Sequence, residues 1–319
     1  MLAVGAAQLI TTFQAVVLGI LQGITELFPI SSLGHTVIFP NLFGWHNIVA
    51  WQSQPESPWL AVVVTLHVGS AIGLLIYFWR TWIDVIRAFF VSLWRMIRLR
   101  RWSVETSTER LAWLIVIATI PVGILGLLLE HTVRVALAKP LFASIFLVVN
   151  GFILLSAERL RRRADVLALA EREGTKGDGA SRRLDTLEYR ESAVIGTFQT
   201  LALIAGISRD GIVMTGGLLR GLDNEDAARF GFLLATPPIL AAGLLKYSDL
   251  TGKIHLGNGY ATAAQAHQLR VASLIALVFA AVVAVFTVHF LTRYFKRANL
   301  IPFGIYCVVF GLAMVIYNA

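Results

Sequence analysis

Charge is scarce in this sequence and cysteine nearly absent, and each scarcity removes a class of protein. Only 14% of the 319 residues are Asp, Glu, Lys or Arg, against 57% hydrophobic residues and a mean hydropathy of +0.72. A chain this apolar cannot hide its nonpolar surface in a water-soluble core, so lipid has to serve as its solvent. The single cysteine, Cys307, lies in a hydrophobic stretch, which leaves no intrachain disulfide and makes it a packing residue. No Lys or Arg precedes Arg80, so the apolar N-terminus lacks the positive flank of a cleaved signal peptide, and its first segment is expected to stay in the mature protein. Short segments of alternating polarity are missing too. Leu111 to Leu129, Phe142 to Leu155 and Leu274 to Leu291 are continuously apolar, which excludes a transmembrane barrel and predicts helices.

What the sequence does contain is a series of apolar stretches near the roughly 20 residues that cross a hydrocarbon core of about 30 Å. Six full spans are predicted at Trp59 to Trp79, Leu111 to Glu130, Leu141 to Ala157, Ala227 to Lys246, Val271 to Leu291 and Ile301 to Tyr317. Two further apolar regions, Ala7 to Phe43 and Ser192 to Leu219, are interrupted by Pro29-Ile30-Ser31-Ser32 and Gly206-Ile207-Ser208-Arg209. Lipid cannot satisfy the backbone groups freed at such breaks, so they read as broken or re-entrant helices facing protein or a wet cavity. The expected fold is all-α: a single integral membrane domain of six transmembrane helices plus two broken-helix hairpins.

The net charge of +8 follows topology rather than nucleic acid, because the basic residues sit at span ends without interleaved base-stacking aromatics. Arg80, Arg87, Arg95, Arg98, Arg100, Arg101 and Arg110 cluster between the first two spans, and Arg293, Lys296 and Arg297 follow the fifth. Those loops are expected in the cytoplasm, while residues 1–58 and the loop from Ser248 to Gln268, with Lys253 as their one Lys or Arg, are expected outside. Trp59, Trp79, Trp82, Trp94, Trp102 and Trp113 crowd the ends of the first two spans, the usual depth of the headgroups.

The two breaks share a template. A shift of 177 positions aligns Gly19, Gln22, Ile30, Ser31 and Gly34 with Gly196, Gln199, Ile207, Ser208 and Gly211. A weaker match at 160 relates Ile145, Val148, Val149 and Gly151 to Ile305, Val308, Val309 and Gly311. The expected organisation is an inverted-topology repeat: repeat 1 over about 1–158, a charged cytoplasmic connector over about 159–190 that is a solvated link or a helical extension, and repeat 2 over about 191–319.

Chemistry concentrates at the breaks. Gln22 and Glu26 are four residues apart and share a helix face beside Gly19 and Gly23. A carboxylate in apolar sequence is costly unless paired, protonated or bound to a cation, which makes Glu26 the leading site residue. After the break, Ser31 and Ser32 can start a new helix whose free amides suit an anion. Ser32 and His35, three residues apart, place a hydroxyl near an imidazole. Arg209 in the second break can clamp phosphate oxygens. The remaining intramembrane polar residues, His67, Asn150, Glu130, Glu158 and His289, are read as interhelical hydrogen bonds or interfacial charges.

The stretch Leu21-Gln22-Gly23-Ile24-Thr25-Glu26-Leu27-Phe28-Pro29-Ile30-Ser31-Ser32-Leu33-Gly34-His35 resembles the signature of the BacA/UppP family of undecaprenyl-diphosphate phosphatases. Residues 199–211, from Gln199 to Gly211, resemble that family's second signature. The resemblance implies that Gln22 and Glu26 form the Glu/Gln-xxx-Glu element, that Ser32 is the nucleophile or orients substrate, that His35 is essential and that Arg209 binds phosphate. Ser31, Ser208 and Gln199 fall within the same signatures and are expected to help bind substrate. It further implies a divalent cation, Mg2+ or Ca2+, at Glu26 and Gln22. A neutral amide at the first acidic position predicts weaker metal affinity. Asp210 stands where many relatives carry serine, and could neutralise Arg209 or turn to solvent.

The activity implied is hydrolysis of undecaprenyl diphosphate to the monophosphate and phosphate, recycling the lipid carrier of cell-wall synthesis and conferring bacitracin resistance. Either Ser32 attacks with His35 accepting its proton, or His35 attacks and Ser32 orients an oxygen. The setting is a bacterial plasma membrane with the site opening outward. The expected partners are the polyprenyl diphosphate and the bilayer, with no nucleic acid and a homodimer left open. Paired broken helices also occur in transporters, so a flippase or anion carrier is the rival, and polar residues acting only as packing glue rank last.

Overall fold

A helix closes its hydrogen bonds within itself, which is what a chain surrounded by lipid needs. The computed structural model describes residues 9–52, 58–137, 139–172, 182–256 and 259–319. In chain order the helices are α1 (Thr12–Thr25), α2 (Ser32–Leu42), α3 (His46–Gln52), α4 (Trp59–Tyr77), α5 (Trp79–Leu99), α6 (Ser107–Leu137), α7 (Pro140–Arg172), α8 (Tyr189–Phe198), α9 (Arg209–Leu219), α10 (Asn224–Thr251), α11 (Ala263–Tyr294) and α12 (Ile301–Asn318). β1 (His255–Leu256) and β2 (Gly259–Tyr260) pair antiparallel inside the stretch read as an outer loop. Among the described residues, α4, α6, α7, α10, α11 and α12 are long and apolar enough to cross a bilayer, so the chain is an all-α polytopic membrane protein.

Charged sequence continues some helices beyond the apolar spans. α7 runs past the expected end at Ala157 because buried Glu158 is paired one turn on with Arg161 at 2.8 Å and Arg162 at 3.2 Å. Residues 173–181 of the expected connector lie outside the described residues. The basic stretch after α4, read as a loop, is the helix α5; its charges lower its hydropathy while its apolar residues keep a helical period.

Small residues let the helices that carry the site approach closely. α11 is flanked by α1 and α4 and buries Ala276, Ala280, Ala281 and Ala284. A Cβ on Gly23 of α1 would lie 2.7 Å from the Ala280 carbonyl oxygen, so only glycine fits this crossing. α9 packs between α7 and α10, and α7 also touches α2, so both breaks meet at α7. Buried Cys307 on α12 packs there too, its sulfur 3.4 Å from Asn150 Nδ2.

Candidate active site

The first break begins where Pro29, with no amide to donate, cannot extend the ladder of α1. Ser31 then adopts φ +72°, a conformation that costs a non-glycine residue about 1 kcal/mol or more. Its hydroxyl oxygen offsets this strain by accepting two amides at 3.2 Å: Gly34 N, capping α2, and Gly206 N of the second break. The breaks touch at glycines, since a Cβ on Gly34 would lie 2.9 Å from Gly206 N. In the second break, Ser208 caps α9 by accepting Gly211 N at 3.1 Å. Ser31 and Ser208 therefore cap α2 and α9 in the same way, and both helices run 11 residues. Asn150 of α7 stitches the breaks together, donating to the Pro29 carbonyl at 2.9 Å and accepting Ser208 N at 3.0 Å.

These ties bring four predicted residues into one cluster. Glu26 accepts hydrogen bonds from Arg209 Nη2 on Oε1, and from Ser32 Oγ and Gln22 Nε2 on Oε2, the last at 2.9 Å. Arg209 is oriented by a second bond, Nη1 to the Ala235 carbonyl at 3.0 Å. Glu26 and Ser32 are buried, while the Arg209 side chain keeps 15% of its surface exposed. Burial makes this pair of opposite charges costly to break, and the guanidinium links the two halves of the sequence.

His35 does not join them. Its Nδ1 is 2.7 Å from the Ser31 carbonyl and its Nε2 2.8 Å from the Tyr306 hydroxyl, and its ring stacks on Tyr306 and Phe310. The three-residue spacing puts Ser32 and His35 near one another on α2, but the bond to Tyr306 and the stacking on Tyr306 and Phe310 turn the imidazole towards α12. Neither reading of His35 as proton acceptor or nucleophile matches this geometry, because both ring nitrogens are occupied.

The imidazole beside the serine belongs to His67 of α4. Its Nε2 lies 3.4 Å from Ser32 Oγ and 3.3 Å from Glu26 Oε2. Nδ1 is 2.8 Å from the Val63 carbonyl, which can only accept, so Nδ1 carries a proton and Nε2 faces the site. Asn150 makes the interhelical hydrogen bonds expected of it, whereas His67, expected to do no more, stands in the cluster itself. A single polar residue inside an apolar span was their only signal.

The other predicted residues serve differently. The hydroxyl oxygens of Ser31 and Ser208 cap helices. Gln199 is buried with neither side-chain amide atom hydrogen-bonded to protein, and the cluster forms without it. Asp210 does not turn to solvent: it is buried, with both carboxylate oxygens free of protein hydrogen bonds and Oδ1 3.6 Å from Arg209 Nε.

A hard cation needs oxygen ligands. Among the described residues no group of three or more His, Cys, Asp and Glu is placed to hold one. Gln22 Oε1 is nonetheless buried without a partner beside the Glu26 carboxylate. This pair offers only part of the oxygen shell such an ion needs, so it fits an ion that takes its other ligands from outside the protein.

The family described as Bacitracin resistance protein BacA matches residues 15–313. The chain belongs to the BacA family. Among its BacA-related relatives, the undecaprenyl-diphosphatase 2 of Frankia alni is 47% identical over 347 residues, covering 95% of this chain and 96% of that protein. The undecaprenyl-diphosphatase of Mycolicibacterium paratuberculosis is 47% identical, covering 96% and 97%. That of Acidiphilium cryptum is 41% identical, covering 94% and 96%. The BacA match takes in every residue of the Glu26 cluster, from Gln22 to Arg209.

Proposed function

We infer that this chain hydrolyses undecaprenyl diphosphate to the monophosphate and inorganic phosphate, recycling the carrier lipid for cell-wall synthesis. One observation carries the inference beyond the family: a carboxylate just after α1, a serine hydroxyl of α2, an imidazole of α4 and a guanidinium of α9 meet at a single point. That is the equipment of phosphoryl transfer, in which positioning and charge neutralisation supply most of the rate.

The terminal phosphate is held by the free amides at the start of α2 and by Arg209, where it competes with Glu26 for the guanidinium. Ser32 Oγ attacks the terminal phosphorus, the bond from that phosphorus to the bridging oxygen breaks, and that oxygen leaves with the polyprenyl monophosphate. The hydroxyl proton passes to the Glu26–His67 pair, which faces Ser32 Oγ, and the pair gives it up to the departing monophosphate oxygen. Water then attacks the phosphoserine, one of its protons restores the serine hydroxyl, and phosphate departs. His35 supports Ser31 from behind through the Ser31 carbonyl.

Gln22 and Glu26 would hold a divalent cation, Mg2+ or Ca2+, which would neutralise diphosphate charge. The repeat supports hairpins entering from opposite faces in an inverted topology, with the site opening to the outer side of a bacterial plasma membrane. All the clustered residues come from one chain, so a homodimer is not needed to complete the site.

Purified protein in detergent, supplied with undecaprenyl diphosphate and Mg2+, is expected to release inorganic phosphate. Vectorial movement of the lipid without phosphate release would replace this reading with a carrier.

A further inference from the structure

α5 presents a face that no described part of the protein covers. Ile83, Ile86, Phe90, Trp94 and Ile97 are each at least half exposed, and at about 100° per residue they fall on one stripe of the helix. The opposite face is anchored: Val85 and Ser92 are buried, Ser92 Oγ accepts Trp113 Nε1 at 3.0 Å, and Arg95 binds Glu109 at 3.0 Å. Arg80, Arg87 and Arg98 form a second line within about 20° of one another, beside the apolar stripe. None of the three pairs with a carboxylate among the described residues. Arg80 and Arg98 instead lie over the rings of Trp79 and Trp94, at 5.0 and 5.2 Å.

Two demands fix where such a helix resides. Arg80, Asp84, Arg87, Arg95 and Arg98 bar it from the hydrocarbon interior, and the apolar stripe bars it from water. Both are met only at the bilayer surface, with the apolar stripe in the acyl boundary and the arginines level with the headgroups. A line of unpaired guanidiniums at that depth matches phosphate-bearing lipids, each able to accept two parallel N–H bonds. We propose that α5 lies in the bilayer surface and that Arg80, Arg87 and Arg98 form a binding site for anionic phospholipid, separate from the Glu26 cluster.

The test uses the full chain in nanodiscs of phosphatidylcholine containing a minority of phosphatidylglycerol, with bound lipids counted by native mass spectrometry. The wild type is expected to retain phosphatidylglycerol preferentially. Arg80→Gln/Arg87→Gln/Arg98→Gln is expected to weaken that preference by roughly fivefold per arginine removed. A spin label at Phe90→Cys is expected to be accessible to oxygen and shielded from a water-soluble nickel chelate. An unchanged lipid preference in the triple variant, or a water-exposed label at position 90, overturns the proposal. So does displacement of the retained phosphatidylglycerol by added polyprenyl phosphate, which would assign the stripe to the carrier lipid.

Discussion

A hydroxyl that donates to a buried carboxylate beside an imidazole adds little to folding and much to reactivity, so Ser32→Ala separates the two. Its phosphate release is expected to fall by about 10³-fold or more while the melting temperature in detergent stays near wild type. The two histidines are expected to behave differently. His67→Ala lowers kcat by about 10² to 10⁴-fold with little change in KM, because it removes a proton acceptor and no substrate contact. His35→Ala also lowers the melting temperature, because the Tyr306 hydroxyl and Ser31 carbonyl lose a buried partner at a cost of about 1–3 kcal/mol. Steady-state kinetics beside thermal melts check both, and equal melting temperatures would remove the division of labour. Glu26, Ser32 and Arg209 were legible in the sequence because each stands at a break where backbone and side chain depart together from the apolar pattern. His67 was not: it sits between Leu66 and Val68 in an unbroken span, 35 positions from Ser32, and only its approach to Ser32 and Glu26 in the folded chain gives it meaning.

Helices place these residues through contacts that a single added carbon would spoil. Gly23→Ala drives a methyl group into the Ala280 carbonyl and pushes α1 away from α11, at an expected cost of about 1–3 kcal/mol. Activity should fall with it, since Glu26 follows α1 directly. Asn150→Leu keeps the volume but leaves the Pro29 carbonyl and the Ser208 amide unpaired, so the melting temperature and KM for the lipid are both expected to worsen. An unchanged KM would mean that the breaks hold their shape without this bridge. The six long helices were readable from hydropathy because length and apolarity suffice for a span. α5 was hidden, since a charged helix of surface type gives no hydropathy signal and shows only in its period, whereas the far end of α7 follows one of the two expectations for that charged stretch, a helical extension.

At the scale of the molecule, the chain after the connector is fastened by charge. Arg182 donates to Glu191 at 2.9 Å and Arg220 approaches it at 3.6 Å. The hydrogen bond from Arg182 holds the Glu191 carboxyl below its ordinary value of 4.5. A group depressed in the folded state stabilises at pH above its unfolded value and loses that contribution as pH falls through the folded one. Thermal melts from neutral pH downward are expected to drop below about 4.5 in wild type and to be flatter there in Glu191→Gln. The sequence match at a shift of 177 did not show how the two breaks interlock, because Ser31 and Gly206 meet only after folding. That contact governs how the protein comes into being. Glu26 and Ser32 meet Arg209 only across the length of the chain, so a nascent polypeptide is expected to stay inert towards its lipid until the stretch around Arg209 has emerged and docked. Two fragments divided between Arg172 and Arg182 should each be silent and regain turnover only when produced together.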